Sequence, residues 1–578
     1  MYSKNFKINP YFIFLSLASF CHPSLSADQI ANSSIDLKKD VESINQNDFK
    51  NKDNLEIPIN DLQRDSEGLK REVSQKTILL RSVNFKGNRK YSDKKLSSFF
   101  KNLLGKDITF SQLANASREA QSLYRKNGYI TSRVILPKQD FLSGNVQIVV
   151  IESYLEDIIV KGGNDETRKY IQYMTNNVLK NNQKNKIFNF EELERQLLLI
   201  KKTNIAQLTS TLSKGSTLGS SLLTIEINPS PIEASIYSNN EISENIGEYV
   251  VGLKSSYTTK SEKPLKIGFS SKVGIPDEDG NLISGVLLLD KPLGNSGLTF
   301  NSIYANSNTN TKDLFPDTAG KSTNKSKSDY FSFGLSYPLI LKRNTEIELD
   351  ISTSIQNSSQ DFYQDNVFSN NVSTDKIRAL RVGLNGRKSL KNSFNTARFL
   401  YSQGYEGFND TFYSNEIRSN LNSNANFSSY KLDLVREQFI GKQGLALQLR
   451  ASGQLATEPL PTPEKFSFGG PDFGRGFKSS HIFGDAGFAA SAQLTKNLYS
   501  KKGKSISTFT WIDFGQVDDL TGESRELSAS TYGVGFGGRL NPDLTYQFSI
   551  GVPGDDDSNP TKVGLGSSIF NFNVGFRF

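Results

Sequence analysis

Two residues have the type and setting to act on each other: Arg475, in the glycine-rich stretch FSFGGPDFGRGF from Phe466 to Phe477, and Asp513, in FTWIDFG from Phe509 to Gly515. Side chains alternate along a strand, so Phe509, Trp511, Asp513 and Gly515 share one face of Thr508 to Gly515. Thr508, Thr510, Ile512 and Phe514 take the other. With the Ile512 and Phe514 face against lipid, Asp513 points into a lumen. A carboxylate screened from solvent there is costly unless paired, and a guanidinium fits it bidentately. Gly469, Gly470, Gly474 and Gly476 let the arginine's loop turn sharply and pass close to a wall. The expectation is an internal lock, with two unrelated polar residues in a wet pore as the alternative.

Other candidate chemistry is weaker. Beyond the N-terminal stretch the chain has one histidine, His481. A lone histidine cannot build a zinc site, and no serine sits in a nucleophile-elbow glycine pattern, so His481 reads as a polar loop residue. Ala319-Gly320-Lys321-Ser322-Thr323 resembles the end of a phosphate-binding loop, but Phe315 stands where the leading glycine belongs and no helix follows. Asp555-Asp556-Asp557 lacks alternating ligands and a distal Glu, and reads as an acidic surface turn rather than a calcium site. No enzyme activity, cofactor or metal is expected.

A chain of 578 residues implies several domains. No apolar run of about 18 residues could cross a bilayer as a helix, but barrel strands escape that test because only alternate residues face lipid. The 39 Phe and 22 Tyr suit lipid-facing and interfacial positions. Lys4 and Lys7, the apolar Tyr11 to Phe20 and the small residues Ser24-Leu25-Ser26 form a secretory signal peptide, residues 1–26. The single cysteine, Cys21, lies inside it, so no disulfide or thiolate site is expected after cleavage. The net charge of +8 is spread among interspersed lysines and acids, which reads as solvated surface and not as a nucleic-acid face.

Residues 27–76 are rich in Asn, Asp, Lys, Gln and Ser and cannot bury a core, although Ser34 to Val41 carries a weak helix-start signal. From Thr77 a module appears twice: Val83-Asn84-Phe85-Lys86-Gly87-Asn88 returns as Ile158-Ile159-Val160-Lys161-Gly162-Gly163-Asn164. The first copy, 77–153, predicts a strand ending at Gly87 and a helix with an apolar stripe of Leu96, Phe99, Phe100, Leu103 and Leu104. A second helix, through Leu113, Ala116, Ala120, Leu123 and Tyr124, stops at Gly128. Strands Thr131 to Leu136 and Asn145 to Ile151 follow. The second copy, 154–229, repeats the order with strand Leu155 to Lys161, helix Thr167 to Leu179, a helix opened by Asn189 with Glu192 three residues on, and strands Ile205 to Leu212 and Ser221 to Ile227. Both copies are small α+β domains.

After Pro229-Ser230-Pro231 helical periodicity vanishes. Residues 230–578 accommodate roughly sixteen antiparallel strands of a transmembrane barrel, at about 10 residues per strand and a similar length of loop. Tyr532, Val534, Phe536 and Leu540 alternate with Gly533, Gly535, Gly537 and Arg539; Leu544, Tyr546, Phe548, Ile550 and Val552 alternate with polar residues and Gly551. Asn541-Pro542-Asp543 between them is a tight turn of the periplasmic kind. The last strand carries Phe570, Phe572, Val574, Phe576 and Phe578 on one face.

At these residues the chain resembles the two-partner secretion transporters, outer-membrane barrels with periplasmic POTRA domains that export haemolysins and adhesins. In that family a Val/Ile-Arg-Gly-Tyr/Phe tetrapeptide tips a long loop folded into the barrel, and a Phe-x-Asp strand motif receives its arginine. Gly474-Arg475-Gly476-Phe477 matches three of the four positions, with Gly474 in place of the β-branched residue. Tyr124 to Val134 and Val150 to Leu155 resemble the first POTRA domain. The resemblance implies two POTRA domains, a barrel of about sixteen strands, and an inward loop around 466–485. It implies that the POTRA domains capture an unfolded TpsA-type exoprotein, exported without ATP, and that the N-terminal segment plugs the pore. It also implies that the terminal Phe576 and Phe578 are read by the barrel-assembly machinery before insertion among outer-membrane lipids. An outer-membrane assembly factor is the rival reading; two modules, rather than more, favour the transporter.

Overall fold

The structure, a computed structural model, describes Lys38 and residues 77–578, except 184–185, 230–231, 243–245, 276–280, 313–321, 366, 407–417, 424, 442–443, 521–525 and 562. The signal stretch, the N-terminal segment apart from Lys38, and residues 319–321 of the lysine-containing loop therefore lie outside the described residues.

The first module runs β1 (Thr77–Leu79), β2 (Ser82–Lys86), α1 (Asp93–Ser97), β3 (Asp107–Thr109), α2 (Phe110–Lys126), β4 (Arg133–Ile135) and β5 (Asn145–Ile151). Its sheet order is β2-β5-β4, with β2 parallel and β4 antiparallel to the central β5. The second runs β6 (Tyr154–Gly162), α3 (Asp165–Asn182), α4 (Phe190–Lys202), β7 (Ala206–Lys214) and β8 (Ser220–Pro229), with the equivalent order β6-β8-β7. Each sheet lays its apolar face on its helices, and each module has its own core: Leu96, Phe100, Leu113, Tyr124 and Ile148 in the first, Ile171, Phe188, Leu197, Leu223 and Ile225 in the second.

Three expectations need adjustment. The first helix is only one turn long, because the chain from Ser98 continues in turns with three-residue bonds such as Phe100 N to Ser97 O; Leu96 and Phe100 are buried, but Leu104 is exposed. The strand expected over Thr131 to Leu136 shrinks to β4, since Thr131 and Ser132 still belong to the turn after Gly128. Asn189 does cap α4, accepting from Glu191 N, but Glu192 accepts from Asn182 Nδ2 instead of closing a capping box.

Among the described residues sixteen strands close into an antiparallel barrel. They are β9 (Glu233–Asn239), β10 (Tyr249–Thr258), β11 (Lys266–Ile275), β12 (Asn281–Pro292), β13 (Thr299–Lys312), β14 (Ser322–Lys342), β15 (Thr345–Gln364), β16 (Val367–Leu390), β17 (Ser393–Gly404), β18 (Ser428–Ile440) and β19 (Leu445–Ala456), followed, after an inserted hairpin of β20 (Phe466–Phe468) and β21 (Ile482–Gly484), by β22 (Ala486–Lys501), β23 (Lys504–Asp518), β24 (Glu526–Arg539), β25 (Leu544–Asp556) and β26 (Ile569–Arg577). β26 pairs back onto β9. Outward positions such as Phe333, Ile351, Leu384, Leu432, Ile512 and Val534 form an exposed apolar belt, as lipid requires of a closed sheet.

The strands are uneven. β14, β15 and β16 have 21, 20 and 24 residues, about twice the length needed to cross a bilayer. Above Phe331, Ile355 and Leu380 their outward residues become polar (Asp329, Asn357, Arg378), so much of what the pattern assigns to loops continues as ladder beyond the lipid. Val552 keeps its register opposite the outward Tyr532 yet is buried, and on the inner side Gly476 of the inserted loop comes close to its main chain.

The second module docks on the short-turn end of the barrel through α4. Arg195 donates to Ser296 O and Pro338 O, Gln196 to Asn295 O, and Leu199 packs at Gly297. At the end of the helix Lys202 bonds Glu346 at 2.8 Å and also Glu348; Arg387 bonds the other Glu346 oxygen at 3.1 Å. Burial opposes the charge on Lys202, yet Glu348 and Glu346 outweigh it and hold its pKa above the ordinary 10.5. A raised folded-state pKa means that this stabilisation is complete below the ordinary value and lost only as pH rises through the raised one. Lys202→Ala strips Glu346 and Glu348 of a shared cation, at about 3–5 kcal/mol for so buried a contact. The expected outcome is faster proteolysis of the second module in assembled protein; cutting at the parent's rate would show that Lys202 does not hold the module in place.

Candidate functional site

After β19 the chain turns into the barrel instead of away from it. Leu460, Thr462 and Glu464 are buried, and Pro461 and Pro463 set a single 3-10 turn over Thr462–Glu464 that aims the acid at the wall. β20 and β21 then form a hairpin, Phe466↔Gly484 to Phe468↔Ile482, whose tip carries Arg475. Phe466, Phe468, Phe477 and Ile482 make a small apolar core with Ala489, Val517 and Ala529 of the wall. Gly469, Gly470 and Gly474 have φ of +118°, +99° and +82°, a region costly for other residues. Gly476 has no positive φ; it is required by closeness, since a Cβ there would lie 2.9 Å from the Val552 carbonyl carbon. On the wall, Gly515 makes room for Phe468 in the same way, at 2.2 Å.

Arg475 and Asp513 meet. Arg475 Nη2 donates to Asp513 Oδ1 at 2.8 Å and Nε to Oδ2 at 3.0 Å, a bidentate pair. The backbone N–H groups of Gly474 and Arg475 add bonds of 3.0 and 3.1 Å to Oδ2. The guanidinium also reaches Ser491 Oγ at 3.0 Å and Gln493 Oε1, and lies over Trp511 with its carbon 4.5 Å from the ring centre. The side chains of Arg475 and Asp513 are 11% and 0% exposed. Phe509, Trp511, Asp513 and Gly515 all lie on the inner face and are buried. Inward glycines on β24 clear the space: a Cβ at Gly533 would be 2.4 Å from Trp511, and one at Gly535 2.5 Å from Phe509.

A second anchor escaped the sequence reading. Glu464 of the loop pairs with Arg381 on β16, Nη2 to Oε1 at 2.6 Å and Nη1 to Oε2 at 3.2 Å; Ser402 and Ser354 hold the remaining guanidinium edge. The same carboxylate takes Lys38 Nζ at 2.6 Å, so a residue of the N-terminal segment sits inside the barrel. Asp485, at the loop's far end, accepts from Leu460 N and Leu520 N, each at 2.8 Å, and closes the base of the insertion. A signal for Arg381 did exist: it is an inward arginine flanked by the outward Leu380 and Val382, the same argument that singles out Asp513.

Two bland readings are corrected. His481 is not merely a polar loop residue: its ring stacks on Phe477 at 4.2 Å, and Nε2 lies 2.9 Å from Asp556 Oδ2 and 3.1 Å from Ser558 Oγ. Asp556, in the middle of the acidic run at the end of β25, is buried and latches the loop through His481, whereas Asp555 and Asp557 are exposed as a surface turn requires. Phe576 and Phe578 lie on the outer face near the short-turn end, 5.0 Å apart, and Phe578 N bonds Ala234 O at 2.8 Å.

A sixteen-stranded barrel with an anchored internal loop and α+β modules beneath its mouth defines a protein-transporting outer-membrane pore. Residues 78–153 match the POTRA domain of ShlB type, and 219–540 match the haemolysin secretion/activation protein ShlB/FhaC/HecB. The chain belongs to this haemolysin secretion/activation family. Among curated relatives it is similar to the heme/hemopexin transporter protein HuxB of Haemophilus influenzae strain 86-028NP, 24% identical over 507 residues and 85% of each chain. It is also similar to the outer membrane transporter CdiB of Escherichia coli O6:K15:H31, 24% identical over 385 residues, 65% of this chain and 62% of that one. Its fold is that of the solved CdiB from Escherichia coli, with a TM-score of 0.70 and 17% identity over 97% of this chain and all of the other, and of CdiB from Acinetobacter baumannii, at 0.64 and 15% over 97% and 100%. The protein is an outer-membrane translocation pore that secretes a partner exoprotein, with its POTRA region in the periplasm.

Arg475→Ala leaves Asp513 buried without its cation, at about 3–5 kcal/mol for a pair this enclosed. Asp513→Ala does the converse. Either change removes the shared contact, so the double substitution is expected to fall well short of the sum. Secretion measured at matched barrel abundance checks this, and strictly additive losses would mean that the two residues act separately.

Proposed function

We propose that the loop between β19 and β22 is the lock of the pore, with Arg475 and Asp513 as its bolt, and that export requires this loop to leave its seat. The observation that carries the reading is the burial of a bidentate ion pair between a glycine-rich loop and the inner wall. Glycines at 469, 470, 474 and 476 act as its joints. Phe509, Trp511 and Gly515 shape the seat, and Phe477 packs the tip against His481 and Phe468.

The exported chain is a TpsA-type exoprotein, captured unfolded by the POTRA domain at 77–153 and passed along the second domain at 154–229. Each sheet ends in an antiparallel edge strand, β4 or β7, to which an extended chain can add by main-chain hydrogen bonds whatever its sequence. Docking of α4 under the barrel places the second domain at the entrance, and the first reaches further into the periplasm. Phe576 and Phe578 serve as the mark read by the barrel-assembly machinery, and the apolar belt then seats the barrel in lipid.

Deleting residues 77–153 tests the capture role. The expected result is a barrel that inserts at normal abundance and no longer secretes. Intact secretion by that variant would reduce the domain to a spacer.

A further inference from the structure

The barrel is closed by its shortest ladder, and that ladder touches the lock. β26 and β9 share only five register pairs, Asn573↔Asn239 to Arg577↔Ser235, whereas β15 and β16 share twenty. Past Asn239 the main chain of β9 ends and would leave β26 unpaired. The side chain of Asn240 takes over: its Nδ2 donates to Phe570 O at 2.6 Å, and its Oδ1 accepts from Phe572 N at 3.0 Å. One amide thus satisfies two main-chain groups for which lipid offers no substitute. On the outer face Phe572 meets Tyr249 of β10 across this join, ring centres 5.8 Å apart.

The residue between those two, Asn571, points the other way. Its Nδ2 donates to the main-chain carbonyl of Arg475 at 2.9 Å. Gly551, beside it on β25, lets that carbonyl lie against the wall, since a Cβ there would be 2.3 Å from the Arg475 oxygen. Arg475 is therefore held on two sides: its side chain and N–H by β22 and β23, its carbonyl by β26 across the clearance at Gly551. A crevice lined by Asn240, Pro471, Arg475, Phe477, Gln547 and Asn571 runs between loop and seam.

We propose that Asn571 and Asn240 are positioning residues that couple seating of the lock loop to closure of the β26–β9 seam. Three consecutive residues of β26 grip the seam with their backbone and the loop with a side chain, so a shift in one moves the other. When the loop leaves, β26 loses its inward tie at the point where only Asn240 completes the ladder, and the barrel loosens there. When the seam loosens, Arg475 loses the carbonyl bond that helps aim its guanidinium at Asp513. The coupling rests on the loop being the obstruction of the pore.

The test uses full-length protein carrying Asn571→Asp, which keeps the size and removes the donor, and Asn240→Ala. Open-pore current in planar bilayers reports the loop, and the temperature at which the folded band is lost on semi-native gels reports the seam. Each variant is expected to raise the current several-fold and lower the conversion temperature, and Asn571→Asp is expected to add no current in an Asp513→Ala background. A current equal to the parent's in Asn571→Asp, or an undiminished increment in the Asp513→Ala background, overturns the coupling. If Asn571→Asp abolishes assembly, Asn571→Ser replaces it, and failure of both assigns Asn571 to folding and overturns the proposal as well. The lock reading fails separately, if Asp513→Ala itself keeps the parent's current.

Discussion

A carboxylate enclosed by protein inside a pore must be paired, and the region around Asp513 is built to meet that constraint. Taking an ion out of water costs several kcal/mol after relaxation, and only good geometry with every lone pair engaged offsets it. Asp513 has four hydrogen bonds, two from the guanidinium and two from backbone N–H groups. The positive φ at Gly474, the clearance at Gly533 for Trp511, and the inward Ser491 and Gln493 all follow from placing that guanidinium. A buried pair adds little net stability over an apolar contact, but it strongly penalises every position in which one partner is left alone. On the proposed lock this penalty favours a single seat for the loop, and withdrawal of the loop, by letting water reach Asp513, lowers the penalty for separation.

The two anchors have opposite polarity. At the tip the loop contributes the cation and the wall the anion; nearer the base, Glu464 is the loop's anion and Arg381 the wall's cation. A slip of the loop that brought Arg475 towards Arg381, or Glu464 towards Asp513, would juxtapose like charges. The mixed pattern therefore selects one orientation as well as one depth. Lys38, the one described residue of the N-terminal segment, joins the second anchor, so it and Arg381 share Glu464.

What could be read from the sequence follows from how far apart the interacting residues lie and how distinctive each is alone. Lipid on one side and water on the other impose alternation on every strand, so Tyr532 to Phe536 and Phe570 to Phe576 declare a barrel residue by residue. Arg475 and Asp513 were legible because one is the only arginine of a glycine-rich stretch and the other the only charge of an aromatic-rich one. Arg381 carries a signal of its own between Leu380 and Val382, but its partner Glu464 lies 83 positions away and nothing local links the two. His481 and Asp556 are likewise 75 positions apart and become a contact only when the loop folds inward. The long β14 to β16 were hidden for another reason: beyond the bilayer both faces of a strand carry polar residues, so alternation ceases although the ladder does not.

The docking of the second domain places a further limit on how the pore can work. Lys202 reaches carboxylates on β15 strand positions that face the barrel interior, so α4 is anchored to the lumen floor as well as to the rim. Glu346 is shared between Lys202 and Arg387, which ties the helix to β16, the strand that also carries Arg381. The same strand thus receives the periplasmic helix at one end and the lock loop at its middle. A strand in a closed barrel cannot move alone, because its neighbours hold every backbone group. The second domain is thus bonded, through Glu346 and Arg387, to the strand whose Arg381 holds Glu464 of the loop, and on the proposed lock β16 is the strand common to both contacts.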